Sequence, residues 1–320
     1  MNSYKIIAYV TGTNIPDHLD LTEVTHVNYA FGWVTENEIS ILQPDMLTKL
    51  RRQTKEHNVK LLLSLQQRGG QWFCQRSKTE EGRALMAQQA WDLVTRYELD
   101  GIDVDWEYPG INIATGEHTC DTCKEDFVQL LAALRAALPH HLLSFACPAV
   151  PDLWLYTDYP RINAYLDYIN VMGYDYNWSV LGSGHQSNLF PGTAGEGNQA
   201  QCSDLAIKQL IQRGIPSQKL NLGIPFYGYV AGKGAQGFLT YDKIELLIAS
   251  GQCQYQFDEA AKQSYLTQND QFYCCYDSPE TIQAKGTYVK ENQLGGLMYW
   301  TYNHDNTSGT LRKAAYQSLQ

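Results

Sequence analysis

The sequence has 320 residues, of which 44% are hydrophobic and 18% charged, and its formal net charge is -10. This composition is typical of a globular chain that can bury a large core. The negative charge offers no attraction to phosphate backbones or anionic lipid surfaces, and the longest apolar runs fall short of the roughly 20 residues that cross a bilayer. We therefore expect neither a nucleic-acid nor a membrane partner.

The start of the chain shows no recognisable targeting segment. Only a few residues precede the first apolar run at Ile6, too few for the charged region, hydrophobic region and cleavage site of a signal peptide. We therefore expect either a secreted, extracellular protein whose signal was removed or a cytoplasmic one. We also expect a monomer that needs no cofactor.

Eight short apolar runs, most of them rich in Val, Ile, Leu and Tyr, are predicted to be strands. They cover residues 5–10, 24–31, 59–65, 101–107, 142–146, 168–174, 220–227 and 294–300. Stretches with helical periodicity lie between them, for example 44–57, 82–97, 124–138 and 203–213. Strand and helix therefore alternate along the chain.

This alternation predicts an α/β fold, specifically a closed (β/α)8 barrel with parallel strands inside and helices outside. A doubly wound open sheet is the alternative. Against that alternative, the loop after the first strand reads Thr11-Gly12-Thr13-Asn14 and lacks the G-x-G-x-x-G fingerprint of dinucleotide-binding sheets.

The fourth apolar run carries an unusual row of acids. Residues 99–109 read Leu-Asp-Gly-Ile-Asp-Val-Asp-Trp-Glu-Tyr-Pro. Because side chains alternate along a strand, Asp103, Asp105 and Glu107 share one face, which we expect to point into the barrel. Glu107 comes last, near the carboxyl-terminal rim where barrel active sites lie. Crowded, buried carboxyls raise the pKa of at least one member, so the row can hold the proton that a general acid needs.

Two other interpretations of these acids remain open. They could form a hydrogen-bonded structural ladder, or they could bind a hard cation such as calcium or magnesium. The segment is strand-like, however, and lacks the glycine-turned loop and distant Glu of an EF-hand. We favour acid catalysis and predict no metal at this site.

The longest interval between strands lies between the seventh and the eighth. Residues 232–284 mix Tyr, Gln and Cys with strand-like pieces. We predict that they form a small α+β insertion between strand 7 and helix 7, and that 1–231 and 285–320 form the catalytic barrel.

Eight cysteines permit disulfides without fixing their connectivity. Cys147 lies in an apolar run and is predicted to be a buried thiol. Cys120 and Cys123 form a C-x-x-C pair without the second ligand pair of a zinc site, so we expect a local disulfide or free thiols. Cys253 with Cys274 or Cys275 is a candidate for a second disulfide.

The acidic segment resembles a known signature. Asp100, Asp103, Asp105 and Glu107 match D-x-x-D-x-D-x-E, the pattern of glycoside hydrolase family 18, the chitinases and their relatives. The resemblance extends over essentially the whole chain. Other matching stretches are Tyr9 in the first strand, Tyr29-Ala30-Phe31, Met172-Gly173-Tyr174-Asp175, Gly223-Ile224-Pro225-Phe226-Tyr227-Gly228 and Gly295-Gly296-Leu297-Met298-Tyr299-Trp300.

The sequence departs from the family pattern in two places. The third strand of the family ends in S-x-G-G, whereas this chain reads Ser64-Leu65-Gln66-Gln67, so two side chains replace two glycines. These side chains are expected to narrow the floor of the site or to change how the sugar lies. In addition, Tyr229 lies near the position where the family often has an arginine after strand 7.

The resemblance implies substrate-assisted hydrolysis with retention, in which the 2-acetamido group of the sugar is the nucleophile. Glu107 would be the general acid and then the base, Asp105 would move between Asp103 and Glu107, and Asp103 would tune their pKa values. The remaining roles that the resemblance implies concern the sugar. Tyr174 would bind the acetamido oxygen, Asp175 would contact the distorted ring, and further contacts would come from Trp300, Tyr9, Phe31, Met172, Tyr227, Ser64 and Trp178.

The implied substrate is chitin or chitooligosaccharides, and the 22 tyrosines and seven tryptophans supply rings suited to sugar faces. Trp72, Trp154, Trp178 and Tyr227 are candidate platforms. Three alternatives differ in function. They are an endo-N-acetylglucosaminidase acting on other N-acetylglucosamine glycans, a non-catalytic chitin-binding lectin of the same fold, and a metal-dependent barrel hydrolase that uses the three acids as ligands.

Overall fold

A computed structural model describes residues 4–13, 15, 17–112, 117–176, 182–197 and 200–320. Eight parallel strands form a closed barrel, because β1 pairs with both β8 and β2 and every other strand pairs with its sequence neighbours in the barrel. This confirms the predicted (β/α)8 fold. The barrel strands are β1 Lys5–Thr11, β2 His26–Val34, β3 Lys60–Gln67, β4 Gly101–Val104, β5 Leu142–Pro148, β6 Tyr168–Met172, β7 Leu220–Pro225 and β8 Gly296–Trp300.

The helices surround the barrel. They are α1 Pro44–Glu56, α2 Trp72–Ser77, α3 Glu80–Tyr97, α4 Cys123–Ala137, α5 Tyr159–Ile162, α6 Ser203–Gln212, α7 Tyr241–Ala249, α8 Pro279–Glu291 and α9 Thr310–Ser318. Local sequence explains two of their starts, since the side chains of Thr79 and Ser278 accept hydrogen bonds from backbone N–H groups in the first turns of α3 and α8. The described residues that connect β1 to β2 contain no helix, unlike an ideal β/α repeat.

The alternation of side chains along each strand divides the core in two. In β1, Ile6, Ala8 and Val10 belong to the large apolar layer between strands and helices, whereas Ile7 and Tyr9 belong to a smaller cluster inside the barrel. The period of two residues therefore places one set of side chains against the helices and sends the other set into the barrel. The side chains inside the barrel form the candidate active site.

A second sheet follows β7. It is antiparallel and has the strand order Phe238–Thr240, Tyr227–Val230, Gln271–Tyr276, Gln263–Gln268 and Gln254–Asp258, with α7 inserted after its edge strand. The sheet already begins at Tyr227, because β7 ends at Pro225 and the chain turns into a new strand at once. The first strand of the insertion thus lies before residue 232, and the division of the chain into a barrel unit and an insertion unit stays a prediction.

The cysteines correct one expectation. Cys120 and Cys123 form a disulfide. Cys253, Cys274 and Cys275 are all buried free thiols, so the predicted disulfide between Cys253 and either of the other two is wrong. Cys147 is a buried free thiol, as predicted. In the described part of the chain, no helix is both long and apolar enough to cross a membrane.

Candidate active site

The acidic row lies at the carboxyl end of β4. The strand itself ends at Val104, three residues earlier than predicted, but the chain stays extended, and the N–H of Asp105 donates to the carbonyl of Leu65 over 2.8 Å. Side chains therefore keep alternating past the strand end. Ile102, Val104 and Trp106 pack in the outer apolar layer, while Asp103 and Asp105 are buried on the opposite side.

Asp103 is surrounded by hydrogen-bond donors. The hydroxyls of Tyr9 and Ser64 each donate to its Oδ2 over 2.8 Å, and the hydroxyl of Ser144 donates to its Oδ1 over 2.5 Å. Asn170 Nδ2 donates to Oδ1 over 3.4 Å and to the Tyr9 oxygen over 3.2 Å. The side chain of Asp103 is thus held by residues of four other strands.

Strand register explains this convergence. Ser64 of β3 and Ser144 of β5 lie directly opposite Asp103 of β4 on its two sides. Residues that share a register in neighbouring parallel strands point the same way, so three polar side chains meet inside the barrel. Burial raises the pKa of the Asp103 carboxyl, and the hydrogen bonds from Ser144, Ser64, Tyr9 and Asn170 oppose that rise.

Asp105 and Glu107 form a pair that retains a proton. Burial raises the pKa of Asp105 well above its usual value, and the negative charges of Glu107 and Asp103 raise it further. Burial also raises the pKa of Glu107, although hydrogen bonds with Tyr108, Asp105 and Gln66 oppose this. Two neighbouring carboxyls that are largely shielded from water do not both ionise readily, so the pair keeps one shared proton above the pH at which an exposed carboxyl would lose it.

Gln66 contacts the acid directly. Its Nε2 donates to Glu107 Oε1 over 3.0 Å, and its Oε1 accepts from the backbone N–H of Gln67 over 2.9 Å. The second bond fixes which end of the amide faces Glu107. One of the two replacements of the family glycines therefore supplies a donor to the last carboxylate of the row.

Aromatic packing fixes the backbone beside Glu107. Trp106 is buried, stacks on Phe73 of α2 with a centroid distance of 5.4 Å, and meets the edge of Phe127 of α4 at 5.2 Å. Because Trp106 immediately precedes Glu107, these contacts limit how far the carboxyl can move.

Asp175 and Tyr174 follow β6. Asp175 has a positive φ of 60°, and the hydroxyl of Tyr227 donates to its Oδ1 over 2.9 Å. Burial raises the pKa of Asp175 to about 7, the Tyr227 hydrogen bond opposes the rise, and the charge of Glu107 adds to it. The ring of Tyr174 meets the edge of Tyr227 at 6.1 Å, and its hydroxyl points to Met298 Sδ at 4.0 Å.

The floor of the site is apolar. Trp300 stacks on Phe31 with a centroid distance of 5.6 Å and an interplanar angle of 23°, and it lies 5.6 Å from the ring of Tyr9. Met172 and Tyr174 pack on the same cluster inside the barrel. Phe31, Met172, Tyr174 and Trp300 are only partly buried, so part of each side chain remains accessible.

The three tryptophans predicted to be sugar platforms have different outcomes. Trp154 is buried in the outer apolar layer, where its Nε1 donates to the carbonyl of Pro148 and its ring contacts Arg213, so its prediction as a platform is wrong. Trp178 lies outside the described residues. Trp72 is partly exposed, and its Nε1 donates to the carbonyl of Arg68 over 2.8 Å.

Two residues of the site, Ser144 and Asn170, were not predicted from the sequence. Ser144 and Asn170 bind Asp103, yet each looked like an isolated polar residue within an apolar run. A polar residue at the middle of a buried strand is itself a signal, because it needs a partner inside the barrel. The amide hydrogen atoms of Asn170 that face Asp103 suit a hydrogen-bonded carboxylate and do not suit a cation.

Comparison with known proteins gives a consistent result. The model of the family "Glycosyl hydrolases family 18" matches residues 5–305. Chitinase 1 of Aphanocladium album is 29% identical over 302 residues, which cover 84% of this chain and 67% of that protein. Chitinase A1 of Niallia circulans is 27% identical over 404 residues, covering 95% of this chain and 57% of that protein.

Solved structures agree. A glycoside hydrolase family 18 N-acetylglucosaminidase from Paenibacillus barengoltzii superposes with a TM-score of 0.87 at 29% identity, covering 99% of this chain and 100% of that one. The present chain thus spans the whole of that structure but only part of the two chitinases.

Proposed function

The chain belongs to family 18 of the glycosyl hydrolases, and we propose on this basis that it is a chitinase that hydrolyses β-1,4 linkages of N-acetylglucosamine polymers. The names of Chitinase 1 and Chitinase A1 support this substrate class. The observation that carries the proposal is the pair of the buried Asp105 and the half-buried Glu107, which can hold a proton beside an aromatic floor.

The proposed mechanism begins with Glu107. As the general acid, it donates the retained proton to the glycosidic oxygen while the 2-acetamido carbonyl of the sugar attacks C1, which gives an oxazolinium intermediate. Glu107 is then a carboxylate and can take a proton from the water that opens this intermediate. The configuration at C1 is inverted twice, so the product retains it.

The neighbouring acids support the two steps. Asp105 has one buried carboxyl oxygen, Oδ1, without a hydrogen-bond partner among the described residues. When the side chain rotates toward the sugar, the carboxylate would accept the N–H of the acetamido group. A negative charge there stabilises the positive charge that develops on the intermediate. Asp103, held by its four donors, provides a fixed neighbour for Asp105.

Substrate contacts follow from the layout of the site. Trp300, with Phe31 and Tyr9 beside it, offers an apolar surface under the reacting ring, and Met172 extends that surface. Tyr174 would donate to the acetamido oxygen, and Asp175, oriented by Tyr227, would accept from a sugar hydroxyl. Ser64 acts on the sugar only through Asp103.

A second candidate is an N-acetylglucosaminidase. The full-length likeness to the Paenibacillus barengoltzii enzyme supports it. The two candidates share their chemistry and differ in product. A chitinase cutting within chains first gives di-, tri- and tetrasaccharides from a hexamer, whereas an enzyme acting on single terminal sugars first gives the monosaccharide and the pentasaccharide in equal amounts.

We further propose a monomeric, extracellular protein. The Cys120–Cys123 disulfide supports the oxidising location, because such bonds persist mainly outside the cytosol.

The test uses a chitohexaose substrate and the variant Glu107→Gln, which keeps the shape of the side chain but removes its acidity. We expect kcat to fall by at least the factor of about 10²–10⁴ that a positioned proton donor supplies. Wild-type turnover should be unaffected by an excess of a chelator. Initial products, separated by chromatography, distinguish the two candidate activities.

The matched control is Glu259→Gln, which changes an exposed acid of the insertion and should leave turnover unchanged. Loss of wild-type activity with chelator would contradict the mechanism and favour a metal-dependent hydrolase. Binding of chitohexaose without turnover of any N-acetylglucosamine polymer would favour the lectin.

A further inference from the structure

Three cysteines form a buried cluster next to the loop that carries Glu107. Cys74 comes from α2, Cys120 precedes α4, and Cys123 is the first residue of α4. Their sulfur atoms all lie within 4.8 Å of one another, and among the described residues no other group of three or more His, Cys, Asp or Glu side chains has such spacing. The chemistry proposed for the hydrolase leaves this cluster unused.

Cys123 contacts both of the other sulfurs. It is bonded to Cys120, and its Sγ also lies 2.8 Å from the Sγ of Cys74. A sulfur atom can hold only one disulfide partner at a time, and Cys74 remains a free thiol in contact with the bonded sulfur. A thiol beside a disulfide is the starting arrangement for thiol–disulfide exchange. We infer that Cys123 exchanges its disulfide partner between Cys120 and Cys74.

The exchange is an isomerisation that needs no outside oxidant. Cys74 loses its proton and attacks Cys123 Sγ, so the Cys74–Cys123 bond forms while the Cys120–Cys123 bond breaks. The electron pair of the broken bond leaves on Cys120, which then takes up a proton. The hydroxyl of Thr122, at 3.7 Å from Cys120 Sγ, is positioned to relay it.

Burial and the charged groups around Cys74 determine the rate of the exchange, because they determine how much of this thiol is ionised. Burial raises the pKa of the Cys74 thiol, Lys78 beyond the end of α2 lowers it, and Asp126 of α4 raises it. The attacking species is the thiolate, so exchange becomes faster as pH rises toward the pKa of this thiol. Acid and alkylation should trap whichever isomer is present.

The two isomers restrain the molecule differently. The Cys120–Cys123 bond spans three positions and closes only a local turn at the start of α4. A Cys74–Cys123 bond would span 49 positions and join α2 to α4. Phe73 and Phe127, the aromatic neighbours of Trp106, belong to those two helices. The long-range isomer therefore fixes the walls around the segment that leads to Glu107.

Peptide mapping distinguishes the isomers. Trypsin cleaves after Arg68, Arg76, Arg96 and Lys124, which leaves Cys74 in peptide 69–76 and both other cysteines in peptide 97–124. The local isomer gives two separate peptides, whereas the long-range isomer gives one cross-linked species. Wild-type protein held near pH 8.5 without reductant, then denatured in acid and alkylated, should yield both patterns.

Two cysteine variants each permit only one of the two disulfide isomers. In Cys120→Ser, oxidised glutathione should convert most of the protein to the form that joins 69–76 with 97–124, whereas Cys74→Ser should give none of it. The cross-linked variant should also unfold a few degrees higher than Cys74→Ser, because the longer loop constrains the unfolded chain more. Cys202→Ser removes a buried thiol elsewhere and should reproduce the wild-type map.

Three outcomes would overturn the inference. One is a wild-type map at every pH that contains only the bond within peptide 97–124. Another is a wild-type cross-linked species whose fragmentation places the bond between Cys74 and Cys120. The third is purified protein with stoichiometric bound metal and three thiols that become reactive only after chelation. The wild-type map decides the question even if a variant fails to fold.

Discussion

At the scale of single residues, Gln66 is the departure from the family pattern with the most direct consequence. Its amide N–H donates to Glu107 Oε1, and the acceptor end of the same amide is held by the backbone. A donor binds a carboxylate more strongly than a neutral carboxyl, so Gln66 lowers the pKa of Glu107 against the effect of burial. The side chain thereby sets the highest pH at which the acid keeps its proton.

We expect Gln66→Leu to move the alkaline limb of the pH profile of kcat/KM to higher pH. Without the donor, the pKa of Glu107 rises and the protonated acid persists further. A hydrogen bond to a charged group contributes about 1.5–3 kcal/mol, which corresponds to a shift of roughly one to two pH units. Gln67→Leu is the matched control, because the Gln67 side chain accepts from the N–H of Phe73. An alkaline limb shared by wild type and Gln66→Leu would contradict this role.

Asp175 is an ionisable residue in an environment that disfavours its charged form. It is raised to a pKa of about 7, chiefly by burial. A carboxyl whose pKa is higher in the folded than in the unfolded chain favours folding at low pH. That contribution is complete below the unfolded pKa of about 4 and is lost as pH rises through about 7.

Asp175→Asn should therefore stabilise the protein increasingly between about pH 4 and pH 8, by up to roughly 4 kcal/mol, while reducing activity. The measurement is the midpoint of thermal unfolding of both proteins across that range. Asp270→Asn is a stringent control, because Asp270 also has a positive φ, of 61°, but is exposed. A gain in stability that is equal at all pH values would assign the effect to backbone preference and not to burial of charge.

At the scale of elements, strand alternation is what made the site predictable. The period of two along residues 101–107 separates Asp103 and Asp105 from Val104 and Trp106, and this separation holds although β4 ends at Val104. The alternation survives because Asp105 continues the ladder to β3. A repeating pattern of apolar and polar residues thus predicted the eight strands and the direction of the acids.

Register and turns were harder to predict. Ser64 and Ser144 flank Asp103 because of the register of β3 and β5 relative to β4. No local sequence pattern encodes that register. Likewise, the apolar run 220–227 contains the end of one strand and the start of another. The barrel strand ends at Pro225, and Tyr227 begins a strand of the second sheet. Long-range hydrogen bonding decides both, so residues such as Asn170 and Gln66 acquire their roles only in the folded chain.

At the scale of the whole molecule, the insertion and the barrel are joined by a buried polar network. Lys285 of α8 forms an ion pair with Asp277, which follows the last strand of the insertion sheet, and neither side chain is exposed. Ser187, from the chain after β6, donates to Asp277 Oδ1 over 2.6 Å, and Gln263 Nε2 donates to the same atom over 3.1 Å. Three separate parts of the chain therefore meet at one carboxylate.

Because the network joins the insertion sheet to α8 and to the chain after β6, we expect Lys285→Met to destabilise the entire protein in a single unfolding transition. Removing one partner leaves a buried charge without its counterion, which costs about 3–5 kcal/mol, and replacing both partners with apolar residues often restores much of it. Urea unfolding of Lys285→Met, Asp277→Leu and the double variant gives the coupling between the two residues. Lys262→Met, which breaks the partly exposed pair with Glu259, should change stability by less than about 1 kcal/mol. Two separate transitions in Lys285→Met, with the barrel melting unchanged, would instead mean that the insertion folds as an independent unit.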